Sequence, residues 1–375
     1  MRIVQFVYNL DLGGLERLAV DLAECQLAQG DEALIYCLTH PGRLAKEATA
    51  KGIAVRAFEK GPGPHLSTVW NIAKHLRQDR PDVLHTHNHL VHHYGVAAGI
   101  MAGVPVIVNT RHRGEQRLVN TPDGSALTTE STGKKSDLLY RSTLPWTDSV
   151  VMISEATRQF FVRYRGIPAR KTRVILNGAH LDRFFAAPAR PGAALPRVRF
   201  GIAARLMPEK DHFALLRAFT SVLAAIPQAQ LRIAGEGPMR GRLEERAREL
   251  NLGESVTFLG PLTDMPRFLS ELDIFVLSSL IEGMPISILE AMAAGLPIVS
   301  TRAGGVDEAV IEGKNAHLVA PGDAQGLAEA MIQMARRPDL ESVGSIGRQI
   351  VLERFRIENT WRNYRDLFVE VGAKE

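Results

Sequence analysis

Two glutamates, Glu282 and Glu290, stand with seven residues between them in EGMPISILEAMAAGLPIVS, one ahead of a Gly283-Met284-Pro285 turn and one inside the helical pattern that follows. Carboxylates so placed need not share a task. Each accepts hydrogen bonds, so one can hold ribose hydroxyls while the other reaches sugar hydroxyls beyond a diphosphate. Pro285 stands where a helix starts, leaving the backbone N–H groups of Ser287 and Ile288 to meet a phosphate. Upstream, AARLMPEKD places Arg205 and Lys210 five residues apart on one loop, a planar fork and a point charge that suit a diphosphate. IAGEGPM offers Gly235, Gly237 and Pro238, and FLGPL offers Gly260 and Leu262, for close contact with a base or ribose. Near the amino terminus, NLDLGGLER puts Gly13 and Gly14 between a strand and a helix whose positive end favours an anion. Taken singly, these are ordinary tight turns, solvated cations and surface glutamates. They gain weight by falling in order at successive strand ends, where open α/β sheets bind ligands.

The elements that must position them follow from hydrophobic period. RIVQFVY, a helix from about Leu15 to Gln29, EALIYCL, another helix and IAVRAF make a βαβαβ beginning. PDVLHTH, a helix around Val91 to Ala102, PVIVNTR and DSVVMIS continue it, which predicts a mostly parallel sheet covered on both faces. AAPARPGAALP, residues 186–196, reads as a linker. A second alternation then runs through VRFGIAA, AQLRIAG, SVTFLG, DIFVLSS and PIVST. Two α/β domains are expected, residues 1–185 and 186–357. A closing helix over 358–375 should return to the first, because Trp361, Tyr364, Leu367 and Phe368 form an apolar stripe at helical spacing.

Composition sets the outer limits. A chain of 375 residues, 45% hydrophobic and 23% charged, is long enough for two cored domains. Residues 1–185 carry 23 Lys/Arg against 17 Asp/Glu, an excess of +6, whereas the remainder carries 22 against 24. Such a bias suits a phosphate-bearing ligand or an anionic membrane surface. Cys25 and Cys37 are the only thiols, which argues against a disulfide framework and for a reducing, cytoplasmic setting. No apolar run is long enough to span a bilayer.

The same blocks carry a family resemblance. GGLER, PDVLHTH, PVIVNTRH, VILNGAHLDRF, ARLMPEKD, IAGEGP, EGMPISILEAMAAGLPIVST and GGVDEAV together resemble a retaining glycosyltransferase of family 4. That resemblance implies the GT-B fold: two facing Rossmann-like domains with parallel sheets and a cleft between them, the first binding acceptor and the second the nucleotide sugar. It implies that Gly14 approaches a phosphate, that Arg205 and Lys210 hold the diphosphate, that Glu282 is a donor-sugar ligand and that Glu290 is a ribose ligand. His112, ending PVIVNTRH, corresponds to the family's histidine near the reacting centre. Ala204 before Arg205 and Asp211 after Lys210 depart from glycines common there. The expected reaction moves a sugar, with retention, from a nucleoside diphosphate sugar to a glycan or lipid-linked acceptor in surface polysaccharide or glycolipid synthesis. A UDP-sugar is preferred to a GDP-sugar.

Other readings predict other residues. A nicotinamide dehydrogenase needs G-x-G-x-x-G after a strand, which is lacking here. An epimerase or phosphorylase shares the fold and stays open, as does a non-catalytic nucleotide-sugar-binding protein. The histidines of HTHNHLVHH invite a metal, but alternation along a strand end is expected to turn them to opposite faces. No metal or cofactor is called for. The segment from Arg111 to Trp146, with Arg113, Arg117, Lys134, Lys135 and Arg141 beside Leu138, Leu139, Tyr140 and Trp146, suits either a peripheral membrane contact or an acceptor loop.

Overall fold

The computed structural model describes residues 1–11, 13–112, 134–186 and 197–373, with side chains in the helix Lys134–Thr143 described from Leu138 onward. Most of the expected linker, 187–196, lies outside the described residues, as do Arg113 and Arg117. The described chain forms two compact units, one from residues 1–112, 134–179 and 357–373, the other from 180–186 and 197–356. The chain passes between them at Ala179 and His180. Asp182–Phe185 is a helical turn packed on the helix Ile286–Ala293, and Arg348 Nη2 donates to the Phe185 carbonyl at 2.8 Å, which ties the HLDRFF part of NGAHLDRFF to the second unit.

The first unit holds seven strands: β1 (Arg2–Val7), β2 (Glu32–Cys37), β3 (Ala54–Ala57), β4 (Val83–His87), β5 (Val106–Arg111), β6 (Ser149–Met152) and β7 (Thr172–Val174). Their order is β3-β2-β1-β4-β5-β6-β7 and every pairing is parallel. Helices on both faces exclude water from the middle strands, so β4 and β5 are buried throughout. The second unit holds β8 (Arg199–Ala203), β9 (Gln230–Ala234), β10 (Val256–Gly260), β11 (Ile274–Leu277), β12 (Ile298–Thr301) and β13 (Ala316–Val319). Their order is β10-β9-β8-β11-β12-β13, again all parallel. Both sheets are doubly wound, the Rossmann-like pattern that the alternation of strand and helix signals predicts. Their chain order reverses at β1/β4 and at β8/β11, and the ends of those strands are the natural ligand positions.

The C-terminal helix Ile357–Gly372 packs on the helix Gly14–Ala28 and on β5. Trp361, Tyr364, Leu367 and Phe368 lie buried in one cluster with Ile3, Leu22, Val108 and Val151. The Ile357 N–H donates to the Ala179 carbonyl at 3.1 Å, fixing where the helix re-enters the first unit. Among the described residues, no helix is long and apolar enough to cross a membrane.

Candidate functional site

In the second unit, the loops after β8 and β11 meet at the switch point. The β8 loop runs through Arg205 into a single turn, Pro208–Lys210, and the β11 loop runs from Ser278 to Pro285. The Leu280 N–H donates to the Glu209 carbonyl at 2.9 Å and Ser278 Oγ donates to the Lys210 carbonyl at 2.8 Å. Stitched this way, the loops bring Lys210 Nζ to Glu282 Oε1 at 2.5 Å, and Ser279 Oγ donates to the same oxygen at 2.6 Å. The two charged side chains are 15% and 10% exposed, so their attraction is screened less than that of a surface pair. Arg205 takes a different partner, Glu209 at 3.6 Å, and stays 58% exposed. The two cations expected to act together therefore start from different settings, one held and one in solvent.

The Glu282 loop is fixed from behind by the turn after β12. Gly304 has φ +58°, and a Cβ there would sit 1.8 Å from the Glu282 carbonyl oxygen; the Gly305 N–H donates to the Gly283 carbonyl at 2.7 Å. Only glycine admits that approach. Met284 and Pro285, at the end of the loop, are buried. The helix Ile286–Ala293 then starts with Pro285 as its extended preceding residue. Ile288 differs from expectation: its N–H donates to the Pro285 carbonyl at 3.1 Å and is not free for a phosphate. The capping residue's carbonyl already accepts a bond in this tight first turn.

Glu290 lies on the same helix, its side chain 17% exposed, with Arg183 Nη2 at 3.7 Å. Burial pushes its carboxyl up to about 7, against the opposing pull of Arg183. The glycines of GEGP serve the chain itself. A Cβ on Gly235, at φ +141°, would meet the Ala204 carbonyl oxygen at 1.9 Å, and one on Gly237 would meet that of Leu206 at 2.4 Å. Their glycine identity thus holds the β9 loop against the β8 loop that carries Arg205. The Gly235 N–H donates to the Gly260 carbonyl at 2.8 Å, which joins the β10 end to the same group of loops, with Pro238 exposed and Leu262 half-buried at their edge.

In the first unit, Gly13 is the extended residue before the helix Gly14–Ala28, and its φ of −169° is open to any residue. His112 follows β5 and is buried, its backbone N–H donating to Asn88 Oδ1 at 3.3 Å. His112 Nε2 and His87 Nδ1 are 2.8 Å apart, and His87 Nε2 lies 2.9 Å from Gln5 Oε1. Burial, with Arg111 adding to it, pushes His112 down to about 3, and the ring is neutral. Arg111 is itself enclosed, its guanidinium 4.9 Å from the Tyr140 ring and 4.6 Å from that of Phe161. The histidines call for a correction. His85 and His87 are two residues apart and so share a face of β4, with ring centroids at 4.3 Å, rather than pointing to opposite sides.

Sequence reasoning passed over Ser279, Arg183, Gly304 and Gln5. For Gln5 a signal was there: it is the one amide in the apolar run RIVQFV and is fully buried.

Comparison with known proteins agrees with this architecture. Residues 12–183 match the family model described as Glycosyltransferase Family 4, and residues 197–337 match that of Glycosyl transferases group 1. A glycogen synthase of Mycobacterium tuberculosis is 30% identical over 351 residues, covering 85% of this chain and 82% of its own. A UDP-Gal:alpha-D-GlcNAc-diphosphoundecaprenol alpha-1,3-galactosyltransferase of Escherichia coli is 26% identical over 323 residues, covering 82% and 80%. Among solved structures, Anabaena HepE in complex with UDP superposes with a TM-score of 0.82 at 20% identity, covering 99% of this chain and 100% of its own. A glycosyltransferase from Rickettsia africae gives 0.83 at 19% identity, covering 100% and 99%. With two parallel, doubly wound sheets and a relative this similar along most of both chains, the protein belongs to the family 4 glycosyltransferases of GT-B fold.

Proposed function

We propose that the protein transfers a sugar from a UDP-sugar to a glycan or lipid-linked acceptor with retention of anomeric configuration, in the building of a surface polysaccharide or glycolipid. The observation that carries this reading is the pairing of Lys210 with Glu282 and Ser279 at the β8/β11 switch point, one loop away from the half-buried Glu290. The preference for UDP over GDP is supported by the E. coli relative's UDP-Gal in its name and by the UDP in the Anabaena structure.

Each residue then has a distinct task. Glu290 accepts hydrogen bonds from the ribose, Lys210 and Arg205 meet the diphosphate, and Glu282 holds the transferred sugar. The bond from the anomeric carbon to the diphosphate oxygen breaks as the acceptor oxygen bonds that carbon on the same face. The acceptor's proton passes to the departing phosphate, whose new charge Lys210 and Arg205 stabilise more strongly in the transition state than in the bound donor. His112, neutral and at the end of β5, offers a hydrogen-bonding ring to the reacting hydroxyls. Incubation with UDP- and GDP-sugars, with and without a lipid-linked glycan acceptor, should release UDP in preference to GDP. Acceptor-dependent release of GDP alone would sink the donor preference, and release of neither the transfer.

The raised Glu290 carboxyl gives this reading a pH signature. The ionised form is the better acceptor for ribose hydroxyls, so UDP affinity falls as pH drops through about 7. Between pH 8 and pH 6 the wild type should lose about tenfold more affinity than Glu290→Gln, in which that titration is gone. UDP's own terminal phosphate titrates in both proteins and cancels in the comparison. Calorimetric profiles that run parallel would remove Glu290 from the ribose.

The first unit also presents a basic and apolar surface. Leu138, Leu139, Trp146 and Tyr164 are exposed, as are Arg141 and Arg163, and Arg163 lies 5.5 Å from the Tyr164 ring. This arrangement fits an anionic lipid surface, guanidinium groups meeting headgroups while the rings and leucines enter the interface. Flotation should recover the protein with anionic and not with neutral liposomes, and Leu138→Ser with Trp146→Ser should abolish recovery; equal binding to both lipids would refute it.

A further inference from the structure

We infer that Gln5 and His87 are positioning residues that fix the proton of His112 on Nε2, so that His112 presents Nδ1 as a bare acceptor for a hydroxyl. The inference rests on the reading above only for what the acceptor is used for; the proton arrangement follows from the first unit alone.

The three side chains form one line across the β1/β4 switch point, from β1 through β4 to the end of β5. Gln5 Oε1 accepts from His87 Nε2 at 2.9 Å. An amide oxygen cannot donate, so His87 carries its proton on Nε2 and leaves Nδ1 with a lone pair. His87 Nδ1 and His112 Nε2 are 2.8 Å apart, so the proton in that bond belongs to His112 Nε2. A neutral imidazole has one ring proton, and Nδ1 of His112 is left without one. Among the described residues, Nδ1 has no hydrogen-bond partner and is not sealed from solvent, in a residue that is 7% exposed as a whole.

The backbone around the relay is built to hold it. Asn88, directly after His87, has φ +65°, a conformation rarely taken by a residue with a side chain. Its N–H donates to the Thr110 carbonyl at 2.9 Å, its Oδ1 accepts from the His112 N–H, and its carbonyl accepts from Asn109 Nδ2 at 3.3 Å. These bonds fasten the end of β4 to the end of β5 and set the spacing of the two rings. A ring offering only a lone pair recognises a hydroxyl, and it repels a carboxylate at the same place.

Nitrogen-15 labelling of histidine, with ring-nitrogen correlations at pH 7, reads the proton position directly. The His112 signals, assigned by their loss in His112→Gln, should show Nε2 protonated and Nδ1 bare. Gln5→Met removes the oxygen at nearly constant volume; the His112 signals should then move toward those of an exchanging mixture, and kcat/KM should fall about three- to tenfold, the worth of one neutral hydrogen bond. His87→Asn, whose amide oxygen can accept from His112 Nε2, should restore the wild-type pattern at His112. A proton on Nδ1 in the wild type, or His112 signals unmoved in Gln5→Met, would overturn the relay. Failure of the glycosyl-transfer reading would show instead as absent turnover with the proton pattern intact.

Discussion

Lys210→Ala is expected to lower turnover about a hundred- to a thousandfold, the usual loss when one preorganised group facing transition-state charge is removed. The structure adds a second cost. Glu282 is 10% exposed and holds Lys210 at 2.5 Å, so truncating the lysine leaves a poorly solvated carboxylate facing the incoming diphosphate. Nucleotide affinity should therefore fall in Lys210→Ala and recover in part when Glu282→Gln is added. Glu282→Gln alone behaves differently. It releases Lys210 from its partner, so UDP affinity should hold or rise while turnover and affinity for the intact donor fall about ten- to a hundredfold, the worth of a charge-assisted bond to a sugar hydroxyl. Calorimetry with UDP and steady-state rates with the donor complete the double-mutant cycle. If the two single changes prove additive for UDP, Lys210 and Glu282 are independent groups and the coupling drawn from their contact is wrong.

How much of this was legible in the sequence depended on the kind of interaction. Strand and helix alternation needs only local pattern, and it predicted both parallel sheets. The order of glycines, cations and glutamates placed Lys210 and Glu282 at strand ends, and the sheet order shows that those ends flank the β8/β11 reversal. Their pairing was not visible, because it joins residues 72 apart through loop geometry that Ser278, Glu209 and Gly304 impose. Asp211 shows the reverse case. The resemblance expects glycine after Lys210, and the structure supplies the reason: the backbone there is left-handed, φ +43° and ψ +48°. Aspartate tolerates that region, and its side chain accepts from the Ala214 N–H at 3.1 Å to cap the next helix, so the departure keeps the geometry. The buried line from Gln5 through His87 to His112 was hidden because strand pattern gives the face a residue occupies and not its neighbours on adjoining strands.

Trp361→Ala should destabilise the first unit by about 3–5 kcal/mol, the range for emptying a large aromatic site in a packed core. Trp361 is fully buried in the cluster that joins the C-terminal helix to β5 and β6, and its ring lies 6.2 Å from that of Phe368. The damage should reach the histidines through one chain of contacts. Tyr364, one turn further along, bonds Thr110 Oγ1 at 3.0 Å, and His85 Nε2 meets the same hydroxyl at 2.7 Å. Loosening the helix withdraws the support of Tyr364 from β5 just before His112, while the nucleotide residues of the second unit remain bonded among themselves. UDP affinity should stay within about twofold, because changes far from a site with no shared partners are nearly additive. Turnover should fall, and the His112 ring signals should broaden. Val369→Ala, on the exposed side of the same helix, should cost within about 0.5 kcal/mol and leave both unchanged. Urea unfolding followed by circular dichroism gives the stabilities. A loss at Trp361 no larger than that at Val369 would mean that the helix contributes little to the first unit, and an intact His112 spectrum would break the link through Tyr364 and Thr110.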